Sequence, residues 1–174
     1  MDLKTEILKE HSKNQVVKIA RYIGNDTSRF KELMELFLRG EYRVTQRSSW
    51  VVTYCAIAFP ELINPYFKQM INKVSEKNIH DAVKRNTVKI WSEIHIPEKY
   101  YGEIYKLCFT FLRSAEEPVA VKAHAMTVLE KISVKYPELK NELRTTIEDM
   151  MPFGKPAIIA RGKKTLTLIN KPGQ

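Results

Sequence analysis

The sequence has few of the residues that form tight turns and few of those that crosslink chains. Its 174 residues include six glycines and eight prolines, too few for a turn-rich β-sandwich or barrel, or for a P-loop or Rossmann nucleotide site. Its two cysteines, Cys55 and Cys108, both lie in apolar stretches and cannot build a disulfide framework. We expect them to be buried thiols of a reduced, cytoplasmic protein.

Long apolar runs are also missing. No stretch approaches the roughly 18 apolar residues of a membrane-spanning helix, and the first residues lack the apolar core of a signal peptide. Hydrophobic residues make up 44% of the chain and charged residues 28%, which is typical of soluble globular proteins. The sequence therefore predicts a cytoplasmic protein with no membrane partner.

The sequence does contain a repeated pattern of an apolar residue, a proline and a glutamate. The pattern recurs at intervals of about 40 residues, a period that indicates a repeat architecture. Proline suits the first turn of a helix, where its missing N–H has no intrahelical acceptor, and the glutamate favours the positive end of the helix dipole. Each occurrence thus predicts the start of a second helix in a helical hairpin. The pattern occurs at Phe59-Pro60-Glu61, Ile96-Pro97-Glu98 and Tyr136-Pro137-Glu138.

Upstream of each proline, apolar and small residues recur every three or four positions, which is the spacing of one helix face. A shift of about 38 residues aligns these faces, again within the range of helical repeats. The aligned sets are Ser49, Thr87 and Ala125, then Val52, Ile90 and Val128, then Ala56, Ile94 and Ile132, together with Arg47 and Arg85. We predict hairpins at about 42–77, 79–113 and 115–151, preceded by a shorter one at about 11–40.

This pattern resembles the HEAT family of repeats, within the armadillo-type α-solenoids, over about residues 11–151. The resemblance implies an all-α, right-handed α-α superhelix of about four helical hairpins, in a single domain over residues 1–174. It also implies a non-enzymatic binding or scaffold module, because solenoids present extended surfaces to protein partners. We expect no cofactor.

Residues 155–169 carry both a helical and a strand-like pattern. Thr165–Ile169 alternates like a strand, yet a lone strand cannot satisfy its backbone hydrogen bonds. We therefore predict a C-terminal helix that caps the last repeat. Its apolar side is expected to comprise Ile158, Ile159, Leu166 and Ile169, with Arg161, Lys163 and Lys164 in solvent.

Glycines and short polar residues predict several helix ends. Gly24 and Gly40 stand where helix C-termini favour a left-handed residue. Asp26 and Asp81 stand where N-caps are expected. Ser114 begins a Ser-x-x-Glu capping box that would open the first helix of the last hairpin.

The net charge of +9 is unevenly distributed. The first helices of the predicted hairpins and the chain entering them carry +7, the second helices are neutral, and the tail after Met151 carries +5. A basic surface of this kind is typical of a protein that binds an acidic partner, but it is also typical of a solvated surface that keeps the protein soluble. Two binding hypotheses follow from it.

The first hypothesis is a protein partner bound through residues of the second helices outside the apolar stripe. These candidates are Lys68, Lys73, Lys99, Glu103, Lys106, Lys140 and Arg144. The second is nucleic acid bound through the basic first helices and the tail. Its candidates are Lys84, Arg85, Lys89, Lys122, Arg161, Lys163 and Lys164.

Residues that carry chemistry are sparse and scattered. The four histidines (His11, His80, His95 and His124) form no i, i+4 pair and lack metal-ligand spacing to the cysteines. We therefore expect neither a metal site nor an enzyme. A weaker enzymatic alternative is a similarity to HEAT-like alkylation-repair DNA glycosylases, which would involve Trp50 or Trp91 and one of the four aspartates. These are Asp2, Asp26, Asp81 and Asp149, of which Asp26 and Asp81 are explained more simply as N-caps.

Overall fold

The computed structural model describes residues 1–171 and contains ten α-helices over that range, with no strand. The all-α prediction is confirmed, and residues 156–169 form a helix. The handedness of the superhelix stays a prediction. The helices are α1 Leu3–Lys9, α2 Lys13–Ile23, α3 Thr27–Arg39, α4 Tyr42–Ala58, α5 Phe67–Val74, α6 Asp81–Glu93, α7 Tyr101–Arg113, α8 Val119–Lys135, α9 Lys140–Met150 and α10 Pro156–Ile169.

Short 3₁₀ turns precede the second helices, at the positions that the proline pattern marks. They span Pro60–Tyr66, Glu98–Tyr100 and Pro137–Leu139, and lead into α5, α7 and α9. Proline is the first residue of two of these turns, whereas Pro97 lies one position earlier, as the N-cap. Proline therefore begins a 3₁₀ turn or precedes one, and the α-helix starts a few residues later.

The chain divides into two compact units, Met1–His95 and Ile96–Gln174. In the first unit, α4 packs against α1, α2, α3 and α6. The aligned positions Ser49, Val52 and Ala56 are all buried in this unit. Between α4 and α6, the Asn86 amide donates a buried 2.8 Å hydrogen bond to the Ser49 hydroxyl. The repeat pattern thus locates the buried face of α4, while the single-domain organisation over 1–174 stays a prediction.

In the second unit, α8 packs against α7, α9 and α10. The aligned residues Ala125, Val128 and Ile132 face this core and are at most 2% exposed. Helix α8 therefore has the place in its unit that α4 has in the first.

Helix α10 buries a face that differs from the predicted one. Ile158 and Ile169 are buried as predicted, but Gly162 and Thr165 are buried with them, at a spacing of four, three and four residues. A β-carbon on Gly162 would lie 3.0 Å from a methyl carbon of Ile147. Glycine at this position lets α10 approach α9 closely.

The prediction that Arg161 lies in solvent is wrong. Its side chain is only 17% exposed and forms an ion pair with Glu130 of α8, itself 12% exposed. The Thr165 hydroxyl donates to the same carboxylate at 2.9 Å and accepts from Arg161 Nε at 3.2 Å. The Arg161 guanidinium is stable in this largely buried position because it pairs with the Glu130 carboxylate of α8. Lys163 and Lys164 are exposed, as predicted.

Two of the predicted helix caps are present. Gly24 has a positive φ of 52° and ends α2, while its N–H donates to the Ala20 carbonyl. The Asp26 carboxylate accepts hydrogen bonds from the N–H groups of Ser28 and Arg29 at the start of α3. These ends satisfy backbone groups that helices otherwise leave unpaired.

Two other predicted caps are wrong. His80, and not Asp81, is the N-cap of α6, because its Nδ1 accepts from the Ala82 N–H at 2.9 Å. Ser114 follows the end of α7 and its hydroxyl accepts from the Glu116 N–H at 3.2 Å. The Ser-x-x-Glu capping box does not form, since Pro118 occupies the N-cap of α8.

Gly40 has a negative φ of −67°, so the predicted left-handed cap is also wrong there. The reason for glycine is close approach. A β-carbon at Gly40 would lie 2.3 Å from the Leu36 carbonyl oxygen and 2.8 Å from a Val44 methyl carbon. The turn between α3 and α4 therefore has no room for a side chain.

We expect Gly40→Ala to lower the free energy of unfolding by about 1–3 kcal/mol, the usual cost of overpacking. Gly102→Ala is the matched control, since nothing lies within 4 Å of a β-carbon at that exposed helical position. The control should raise stability by about 0.5–1 kcal/mol, because alanine favours helix more than glycine. Urea denaturation of both variants measures the difference, and equal effects would contradict the steric argument.

Candidate binding surfaces

The partner-binding residues predicted for the first unit lie in different environments. Lys68 is exposed on α5. The Lys73 side chain is only 11% exposed, and its Nζ lies 3.0 Å from a Glu76 carboxylate oxygen. Lys73 is therefore already engaged in an ion pair within its own unit.

In the second unit, two of the predicted partner-binding residues are also engaged. Lys99 Nζ lies over the Tyr100 ring, 5.0 Å from its centroid. The Arg144 guanidinium donates to Asn170 Oδ1 at 2.7 and 3.1 Å, which ties α9 to the end of α10. Among the remaining partner-binding candidates of this unit, Glu103 and Lys106 are exposed and Lys140 is half-buried.

The residues predicted to contact nucleic acid are split between the units. Lys84, Arg85 and Lys89 all lie on α6, where Arg85 is exposed and the two lysines are half-buried. Lys122, Arg161, Lys163 and Lys164 belong to the second unit. Arg161 is internal, so within its unit only the other three are placed to meet a ligand.

The first unit brings together a histidine from the loop before α2 with an arginine and a tryptophan from α4. His11 lies between α1 and α2, and its ring meets that of Trp50 on α4 at 5.4 Å and 67°. The loop is held by Arg47, whose Nη1 donates to the Leu8 carbonyl at 2.7 Å. His11 is exposed, and Trp50 is half-buried.

Positive charge surrounds this ring pair. Although His11 is exposed overall, partial desolvation of its ring lowers its pKa, and the neighbouring charges of Arg47, Arg85 and His80 lower it further. We call the surface formed by His11, Arg47, Trp50, His80 and Arg85 the Arg–aromatic surface. Repeat alignment relates Arg47 to Arg85, but the sequence contains no signal that places the loop at His11 against α4.

A small cleft adjoins this surface. Tyr42 is 64% exposed, and its ring meets His80 at 5.6 Å. Together they line a cleft of about 260 Å³ with Lys77 and Asn78. The Lys73–Glu76 ion pair also borders this cleft, so its lining is aromatic with charges of both signs.

In the second unit, the turn between α9 and α10 presents an aromatic side chain to solvent. Phe153 is 91% exposed at the end of the 3₁₀ turn Met151–Phe153. It borders a cleft of about 600 Å³ lined by apolar, acidic and basic side chains. We call Phe153 and this cleft the Phe153 surface. Its lining residues include Glu116, Lys122, Asp149, Met150, Lys155 and Ile158.

A second cleft of about 560 Å³ shares two residues with the Phe153 surface, Asp149 and Met150. It extends along α9 to Arg113, which forms a 2.9 Å ion pair with Glu142.

Phe153 is not among the binding residues that the sequence analysis predicts. The run Met151-Pro152-Phe153-Gly154 is the available signal, because proline and glycine favour a turn and phenylalanine has no polar role there.

The side chains considered for chemistry are mostly buried or structural. Cys55 and Cys108 are free and buried. Burial raises the pKa of Cys55 to about 12 and that of Cys108 still further, which disfavours the reactive thiolate. Trp91 is fully buried in the core.

Two features are absent from the residues that the structure describes. No three histidine, cysteine, aspartate or glutamate side chains lie together as a metal would need. Over the same residues, no helix has both the length and the apolar character to cross a membrane.

Comparison with known proteins identifies the repeat. A family model described as a HEAT repeat domain matches residues 3–169, nearly the whole chain. No curated protein and no solved structure matches the sequence. The all-helical architecture, the buried faces that recur from repeat to repeat and this match agree, and the chain belongs to the HEAT-repeat family.

Proposed function

We propose that this chain is a non-enzymatic, cytoplasmic binding module that engages a protein partner through the Phe153 surface. HEAT-repeat chains are helical scaffolds that commonly mediate protein interactions. The observation that supports this site most strongly is the 91% exposure of Phe153. Burying a phenylalanine is worth about 1.5–3 kcal/mol, and aromatic side chains are frequent anchors of interfaces.

The backbone that carries Phe153 favours binding without much loss of entropy. The Gly154 N–H donates to the Met151 carbonyl at 3.2 Å and closes the turn. Pro152 and Pro156 fix two φ angles beside it. Because the anchor is already ordered, little conformational freedom is lost when a partner covers it.

The cleft beside Phe153 indicates the character of the partner. The half-buried side chains of Met150 and Val119 supply apolar surface, while Glu116 and Asp149 supply carboxylates. A partner with an apolar pocket for Phe153 and a basic side chain facing Asp149 would be complementary. The exposed candidates Lys68, Glu103 and Lys106 remain proposed further contacts.

A photo-crosslinking amino acid at position 153 tests this proposal in cells. Position 134 is the matched control, because Val134 of α8 is also exposed, at 52%, in the same unit. We expect a discrete protein adduct from position 153 and none from position 134. Adding Asp149→Lys should remove the adduct by repelling the basic partner.

Three results would count against the proposal. Equal adducts from both positions would indicate collisions without a specific interface. An adduct that Asp149→Lys leaves unchanged would remove the cleft from the interface. A nuclease-sensitive adduct at position 153 would show that this surface meets nucleic acid instead of protein.

A further inference from the structure

We infer that the Arg–aromatic surface of the first unit binds single-stranded nucleic acid. This site is separate in sequence and unit from the Phe153 surface. It joins two guanidinium groups, Arg47 and Arg85, to the rings of His11 and Trp50. A basic surface interleaved with aromatic rings is the combination that single strands require.

The charge of this surface fits a polyanion. The side chains that lower the pKa of His11 electrostatically are Arg47, Arg85 and His80, all of them basic. Four exposed acids occur nearby in sequence, and one of them, Glu76, lines the adjoining cleft and pairs with Lys73 at 3.0 Å. Glu41 forms a 3.5 Å ion pair with Lys4, while Glu10 and Asp81 adjoin His11 and His80. The charged groups that shift the pKa of His11 are nevertheless all basic.

The repeat sets the spacing of the two arginines. Arg47 and Arg85 occupy equivalent positions of α4 and α6, one repeat apart, and these two helices pack against each other. Packed helices lie about 8–10 Å apart, so equivalent side chains can reach phosphates a few nucleotides apart on one strand. Guanidinium groups bind phosphate through paired N–H donors. Arg47 commits Nη1 to the α1 carbonyls and has further N–H donors.

The rings favour nucleic acid over an acidic peptide. Trp50 and Arg47 lie on the same face of α4, since they are three residues apart. Carboxylates of a peptide would pair with the arginines but would make no use of the neighbouring rings. Bases stack on aromatic rings whatever their sequence. A single strand is required because the bases of a duplex are stacked on each other.

Fluorescence anisotropy of the full chain with labelled oligomers of thymidine and of uridine tests the inference. Binding should weaken with salt, with a logarithmic slope of about −0.7 for each phosphate contact. Arg85→Ala should weaken binding about tenfold and reduce the slope by about 0.7. Arg39→Ala is the matched control, an exposed arginine on α3 of the same unit, and should change neither value. The oligomer that binds with the higher affinity shows whether the surface prefers DNA or RNA.

Intrinsic tryptophan fluorescence gives a second measurement of binding, at the ring pair of His11 and Trp50. Trp91 is fully buried and Trp50 half-exposed, so an unlabelled oligonucleotide should quench Trp50. Trp50→Phe should abolish this quenching while retaining a ring for stacking.

Several outcomes would overturn the inference. Absence of binding at about 50 mM salt would do so, since phosphate contacts are strongest there. Equal losses of affinity from Arg85→Ala and Arg39→Ala would show that binding depends on net charge and not on the Arg–aromatic surface. Polyglutamate that competes as well as the oligonucleotide at equal charge would assign the surface to an acidic protein segment.

Discussion

Replacing Glu130 with alanine should lower the free energy of unfolding by about 3 kcal/mol, among the larger effects of a single substitution in this chain. The Glu130 carboxylate is 12% exposed and pairs with the Arg161 guanidinium, which is 17% exposed. Removing the carboxylate leaves a largely buried cation without its partner. It also removes the acceptor for the Thr165 hydroxyl, a side chain with no exposed surface.

Thermal or urea unfolding measures this effect, and two further variants isolate its cause. Glu130→Gln retains an acceptor for Arg161 and Thr165, so it should cost roughly 1 kcal/mol. The double variant Glu130→Ala with Arg161→Ala should be more stable than Glu130→Ala alone, because no charge is then buried unpaired. If Glu130→Ala changed stability no more than an ordinary surface substitution does, by less than about 0.5 kcal/mol, the argument would be contradicted.

The sequence predicts the repeated architecture well because hydrophobic periodicity reflects local geometry. Ser49, Val52 and Ala56 are spaced for one face of a helix, and all three are buried. The aligned positions of the next two repeats behave alike. Helix faces are local properties, so a single sequence is enough to locate them.

Predictions failed where tertiary contacts outweigh local preference. Arg161 and Thr165 are polar, and their burial depends on Glu130, which lies 31 residues before Arg161. The sequence predicts a left-handed cap at Gly40, whereas the residue is glycine because Leu36 and Val44 approach it closely. No periodic pattern encodes such pairings.

The same reasoning explains the candidate surfaces. Charge counting assigns the excess positive charge to the first helices of the hairpins, since composition needs no coordinates. It could not show that the loop at His11 lies against Trp50, or that α9 and α10 leave Phe153 uncovered. Binding surfaces join residues from several elements, and their assembly is a tertiary property.

Deleting residues 156–174, which include the whole of α10, should be the most destabilising change that we predict. The deletion removes the buried side chains of Ile158 and Ile169 and the Arg161 partner of Glu130. Each isoleucine contributes about 1.5–3 kcal/mol, and the broken ion pair about 3 kcal/mol more. The sum approaches the roughly 5–15 kcal/mol that stabilises a typical domain, so the second unit should lose its fixed packing.

Calorimetry and binding of a hydrophobic dye test whether α10 is a cap or a contact arm. For a cap, the truncated chain melts at a lower temperature and binds the dye, because α8 and α9 expose the apolar surface that α10 covers. The control is the double variant Lys163→Ala, Lys164→Ala, which removes two exposed charges but no buried contact and should melt like the parent chain. Unchanged melting after truncation, with retention on heparin lost in both variants, would make α10 an arm for an acidic ligand.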